Sequence, residues 1–320
     1  MTRALTNRLT CRLTYRLVEE RDIPALLRLW EEAGWGTLTE DVWRQWFVET
    51  PHGCCVVAVA VDNRGEVVAQ EMFTPSLVSI DGREVRALRF SAPIVSRSIR
   101  GVSLRHPEHP VFGLYRTAAE AAAAQGFGII YSLPEHAWLP IFRLVSGFAE
   151  AAYPCVEVPL DAHGGDNLFV GRPAEFTDEY DRLWLSARET FPIHCGVVRR
   201  HEWVRFRNSG RTAVEVRDAS DGSLAGYASV KKQTGLLADV LARRPDELPH
   251  VLRTTLRWLS EHGGGLTHLK VMQTPALAAA LEGLPSETVD YRFAFTCRAL
   301  DETLPAEAIA PERWHAMPGD

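Results

Sequence analysis

The chain has 320 residues, 46% hydrophobic and 24% charged, with a formal charge of −6 at pH 7. Those fractions exclude intrinsic disorder and a membrane-embedded body, and the acidic balance excludes a protein held chiefly by nucleic-acid phosphates. The length gives room for one large domain or for two of about 150 residues, each able to bury a core.

Residues 1–13 read as a basic lead-in without the apolar core of a signal peptide. Thr14–Val18 alternates as a strand. Asp22 is the expected cap of a helix carrying Ile23, Leu26, Leu27 and Trp30, which Gly34 stops. A second helix after Thr39 shows Trp43, Trp46 and Phe47 on one face. Strands follow at Cys54–Val61 and Glu66–Phe73 around the turn Asp62–Gly65, then on both sides of Asp81-Gly82 up to Val95. Val111–Gln125 is an Ala-rich helix closed by Gly126. Gly128–Leu133 is a strand, Ala137–Val145 a helix and Tyr153–Leu160 a strand.

His163-Gly164-Gly165-Asp166 is the expected linker, and past it the order returns. Helices are predicted from Thr177 and over Arg199–Phe206, and strands at Thr212–Arg217, Leu224–Lys231 and Leu236–Leu241. The helix Glu247–His262, the strand Leu266–Met272, the helix Pro275–Leu281 and the strand Thr288–Arg298 complete the pattern. The hairpins Gly65–Gln70 and Gly222–Tyr227 align, so two copies of one α/β unit are expected, at 1–162 and 163–320.

Lysine occurs only at 231, 232 and 270, so 32 of the 35 basic residues are arginine. Beside the alanine run at 118–124, that reads as genomic bias rather than selection for anion binding. Six cysteines without a C-x-x-C pair, and no signal peptide, predict a reducing, cytoplasmic setting. No apolar run reaches the roughly 18 residues of a spanning helix. Neither a membrane nor a nucleic acid is expected as a partner, and oligomeric state is not legible.

The repeated order resembles the GNAT (Gcn5-related N-acetyltransferase) superfamily in its tandem form. The resemblance is carried by Arg16–Ile23, by the hairpin Gly65-Glu66-Val67-Val68, by Ser96–Gly101 in place of the acyl-CoA loop, and by Tyr131–Pro134 through Gly147-Phe148. It implies an α/β fold of two mixed-sheet domains, the second divergent. It further implies an N-acyltransferase that uses acetyl-CoA or another acyl-CoA as cosubstrate, with a small-molecule amine as acceptor and no metal. The backbone after Ala92, through Ile94 and Val95, would hold the thioester, and Ser96, Arg97, Arg100, Gly101, Val102 and Ser103 the phosphates. Glu71, or Glu135 with His136, would take the amine proton.

The sequence departs from the family in three places. The glycine expected after Arg100-Gly101-Val102 is missing, and the helix begins at His109-Pro110, where proline gives no N–H. The family's tyrosine acid falls on Phe142. Nothing like the acyl-CoA loop stands between Asp239 and Arg253, so at most one donor site is expected, in the first copy. Two alternatives follow: an acyl thioester borne by an acyl-carrier protein, or a binding or scaffold protein without activity.

Other constellations stay open. Arg97, Arg100 and Arg105 are either a phosphate clamp or a solvated loop. The tryptophans at 30, 35, 43, 46 and 138 form either core or an acceptor wall. Asp239, inside an apolar strand, needs a partner and suits a contact between copies. His106, Glu108 and His109 lack a third firm metal ligand beyond that short loop. His194-Cys195 is not in nucleophile geometry. The tail Trp314–Asp320 either brings a carboxylate to the first copy's site or frays.

Overall fold

The computed structural model describes residues 12–91, 93–100, 106, 109–144, 148–164, 168–191 and 193–320. Residues 1–11 of the lead-in, Gly147 and the linker residues Gly165 and Asp166 lie outside them. The chain packs as two units. One takes the chain up to Leu77, Val85–Phe148 and Arg298–Pro305; the other takes Val78–Glu84, Ala149–Cys297 and Ala306–Asp320.

The first unit contains β1 (Thr14–Leu17), α1 (Ile23–Glu32), α2 (Glu40–Phe47), β2 (Val56–Val61) and most of β3 (Val67–Ile80) and β4 (Arg83–Phe90). It continues with β5 (Ile94–Val95), α3 (Pro110–Ala124), β6 (Ile129–Ser132) and α4 (Leu139–Leu144). The strand order is β1-β2-β3-β4-β6, with β4 and β6 parallel. β2 reads Val-Val-Ala-Val-Ala-Val and is buried throughout, as a strand covered on both faces must be. Val57 and Val59 pack with Ile23, Leu26 and Trp43 under α1 and α2. Ala58 and Ala60 lie with Leu114 and Ala118 of α3, and their small size lets that helix approach.

Asp22 does not cap α1. A 3-10 turn over Glu20–Asp22 already places it in helical geometry. Its carboxylate instead accepts both Nη atoms of Arg16 at 2.6 and 2.8 Å and the Glu19 N–H at 2.7 Å.

The second unit holds β7 (Ala149–Pro159), β8 (Phe169–Pro173), α5 (Glu179–Thr190), β9 (Cys195–Val197), α6 (His201–Arg207), β10 (Thr212–Asp218) and β11 (Leu224–Lys231). β12 (Leu236–Ala242), α7 (Leu248–His262), β13 (His268–Met272), α8 (Pro275–Ala280), most of β14 (Glu287–Ala299) and β15 (Trp314–His315) complete it. Its order is β14-β7-β13-β12-β11-β10-β8. Apart from the short β5 and β9, and with β7 leading into the second unit, each unit runs strand, two helices, three strands, helix, strand, helix. The two hairpins also share their turn chemistry. Asp62 and Asp218 each accept the N–H two residues on, from Arg64 and Ser220, and Gly65 and Gly222 take positive φ.

α7 seats on the sheet because β11 offers a glycine beneath it. A Cβ on Gly226 would lie 2.6 Å from Val251 Cγ2 and 2.5 Å from the Leu241 carbonyl. β8, β9 and β15 are not in the sequence-based expectation.

Candidate active site

In the first unit β4 and β6 run parallel over Ala87–Arg89 and Ile129–Tyr131, and Ser132 Oγ still donates to the Phe90 carbonyl at 3.0 Å. Beyond that point they part. β5 stays with β3, Val95 opposite Ala69 and Ile94 opposite Gln70. A cleft of about 420 Å³ lies beside β5. Pro93, Ile94, Val95 and Arg100 line it, as do Ala137 and Trp138, His109 and Val111 at the start of α3, and Ala33 and Trp35 after α1.

One backbone edge in this cleft is chemically useful. Ser96 N–H donates to the Val68 carbonyl at 2.8 Å, so the Val95 peptide groups, one residue back, point away from β3. The Val95 carbonyl accepts Nε and Nη2 of Arg100 at 3.1 and 2.9 Å. Arg100 therefore braces the loop onto its own strand, and the Val95 N–H lies on the same outward edge. Ser96 Oγ donates to Glu32 at 3.2 Å, and Arg97 is exposed. Gly101, Val102 and Ser103, with Ala92, Arg105 and Glu108, lie outside the described residues.

The N-terminus of α3 satisfies itself. Pro110 has no N–H, Val111 N–H donates to His109 Nδ1 at 3.3 Å, and Phe112 N–H reaches the His109 carbonyl at 3.0 Å. His109 is buried, and burial lowers its pKa, which keeps the ring neutral with its proton on Nε2. Its place in the cleft was not anticipated. The signal was available as a histidine directly before a proline-started helix, where an acceptor caps the first turn.

The structure separates the proposed bases. Glu71 is fully buried on β3, and burial pushes its carboxyl well up, against an opposing bond from the Met72 backbone, so its carboxylate form is disfavoured. Its neighbour Tyr115 is raised to about 12 by burial, opposed by Arg298, whose Nη1 donates to the phenol at 3.1 Å. Glu135 and His136 are exposed, immediately before the cleft residues Ala137 and Trp138. Phe142 is core, edge-on to Phe90 with ring centroids 4.8 Å apart. Of the tryptophans, Trp43 is buried, Trp30 and Trp138 are half-buried, and Trp35 stands 46% exposed over the cleft, edge-on to Trp30 at 4.8 Å. Core and wall are both represented. Among the described residues no group of three or more His, Cys, Asp or Glu is placed to hold a metal ion.

In the second unit the corresponding place is taken by the chain itself. β12 and β13 run parallel at Leu236 and Lys270, and the tail Trp314–Asp320 is buried along its whole length. Gly319 N–H donates to the Ala238 carbonyl of β12 at 2.5 Å. Arg199, fully buried, gives Nε to Asp239 at 2.9 Å, Nη2 to both Asp320 oxygens at 2.8 and 2.9 Å, and Nη1 to the Val197 carbonyl at 2.7 Å. Tyr227 donates to Asp239 at 2.5 Å. Asp239 thus finds its partners inside its own unit, not across the copies, and the Asp320 side chain closes on Arg199 rather than fraying.

No protein-family model and no curated protein matches the sequence. Solved structures do match. A GCN5-related N-acetyltransferase from Anabaena variabilis superposes with a TM-score of 0.65 at 12% identity, over 91% of this chain and 73% of its own. One from Kribbella flavida gives 0.61 at 17% identity, over 92% and 73%. A tandem GNAT protein from the clavulanic acid biosynthesis pathway gives 0.53 at 17%, over 92% of this chain and all of its own. Such identities speak to architecture, and by architecture this chain has the GNAT fold in its tandem form.

Proposed function

We propose that the protein is an N-acyltransferase that moves an acyl group from a thioester to an amine in the cleft of its first unit. The observation that carries this is the Val95 edge of β5, turned away from β3 and lining the cleft, in a fold shared with acyltransferases. A pantetheine arm would lie along that edge, and the Val95 N–H would polarise the thioester oxygen. The amine nitrogen attacks the carbonyl carbon, the C–N bond forms, the C–S bond breaks, and the thiolate leaves and receives the amine's proton from the base. Glu135 or His136, directly or through water, takes the proton released by the amine. Trp35 and Trp138 would flank an apolar part of the acceptor.

The test is thermal shift with acetyl-CoA, a medium-chain acyl-CoA and CoA, followed by thiol release over a panel of amines. Val95→Pro removes the one N–H assigned to the oxyanion and no bond to β3. Loss of about 100-fold in thiol release at an unchanged melting temperature is expected, on the scale of one oxyanion donor. No shift and no thiol release with any thioester would sink the reading.

The self-satisfied start of α3 favours a second version. With Pro110 lacking an N–H and the next two donors spent on His109, that helix end has little to give a pyrophosphate. A donor carried on the pantetheine of an acyl-carrier protein presents none. Acyl groups consumed from a carrier while free CoA esters are ignored would decide for it.

A further inference from the structure

The second unit holds an apolar pocket of about 410 Å³ that the acyl-transfer reading does not use. Its walls include Phe191, the first residues of α7 and α8 (Leu248 and Pro275), Ala279, and Trp314 of the tail. Two further wall residues each carry a buried polar atom without a hydrogen-bond partner among the described residues: Thr274 Oγ1 and His315 Nε2. Thr274 is 1% exposed and His315 7%, so bulk water does not serve them. Buried polar atoms left unpaired are costly, and two at one apolar pocket ask for a polar group that comes with a ligand.

The pocket suits neither a phosphate nor a thioester donor. Gly319 N–H holds the Ala238 carbonyl, so a pantetheine arm would meet the tail on β12. At the start of α7, Pro249 has no N–H and Leu248 N–H is bonded to Pro245, with Asp246 and Glu247 just ahead. Arg313, at the wall, is engaged by Asp81 at 2.7 Å, and Glu312 is exposed beside it. No cation there is left over for an anion. His315 itself stays uncharged, since burial first and Arg199 second push it down to about 4.

We propose that this pocket is a second ligand site, for an uncharged apolar molecule ending in a primary amide or hydroxyl that pairs with Thr274 and His315. The probe is 3-phenylpropanamide, titrated calorimetrically into the full chain, with 3-phenylpropanoate as its charged counterpart. The amide should bind, the carboxylate at least about tenfold more weakly. Ala279→Trp, on the exposed side of α8, should abolish the pocket's share of the heat while melting temperature and thiol release stay as they are. Thr274→Val should weaken the amide about five- to tenfold, the worth of one hydrogen bond. Heat that survives Ala279→Trp, equal binding of amide and carboxylate, indifference to Thr274→Val, or no heat at all would each overturn the proposal.

Discussion

Arg199 shows what a single residue can commit a unit to. Its guanidinium is wholly buried and answers two carboxylates and one carbonyl, so each of its donor atoms has work in one plane. Arg199→Met removes the cation and leaves Asp239 and Asp320 facing each other in the interior. A loss of about 3–5 kcal/mol is expected, read from urea midpoints, because breaking one partner of a buried set strands the others. Replacing all three at once by apolar residues would cost less than that single change. Close by, His315 sets a pH dependence. Its folded-state pKa of about 4 lies below the usual 6.5, so the unfolded chain binds the extra proton between those values. The stability contributed by the neutral ring is present above pH 6.5 and lost as pH falls towards 4. In His315→Asn that acid-side loss is absent. The variant's guanidinium midpoint should therefore drop less between pH 6.5 and 4 than that of the parent chain.

At the scale of elements, α3 pits helix propensity against packing. Gly113 sits inside the helix, where alanine is better by about 1 kcal/mol in isolation. An added Cβ, however, would stand 2.3 Å from the Tyr15 ring on β1, and displacing a packed ring costs about 1–3 kcal/mol. Packing should win, and Gly113→Ala should lower the melting temperature; a rise would mean that Tyr15 swings aside freely. The elements that sequence revealed are those whose own pattern decides them. α7 shows Leu248, Val251, Leu252, Leu256 and Leu259 at helical spacing, all buried, and β11 spans Leu224–Lys231 as the turn Asp218–Gly222 before it predicts. β8 was illegible because Gly171 and Pro173 weaken a five-residue edge strand. β9 and β15 are three and two residues long, and form by pairing, β9 with Val78–Ile80 of β3 and β15 with β9. The site was legible in the same uneven way. Ile94 and Val95 follow from resemblance and position. The burial of Glu71 does not, because β3 is covered on both faces and its sequence cannot say which carboxylate α3 will shut in.

For the whole molecule, two copies of one architecture are put to different ends. The first leaves the outward edge of Val95 at its cleft; the second takes up the β12 edge with Gly319. A thioester should therefore bind once per chain, and calorimetry with a non-transferable acetyl-pantetheine ether should give one site. Two equivalent sites would contradict the asymmetry. The arginine-for-lysine bias takes on a sharper meaning at this scale. Arg100 and Arg199 each use a fork of nitrogens that a lysine lacks, whatever placed arginine there first.

Glu71 carries a consequence for calorimetry. Burial raises its pKa in the folded chain, so at a pH between the unfolded and folded values folding takes up a proton from the buffer. In that pH window the heat of unfolding should shift with the ionisation enthalpy of the buffer, differing between two buffers at the same melting temperature. Glu71→Gln, which keeps the shape and needs no proton, should remove that part of the difference.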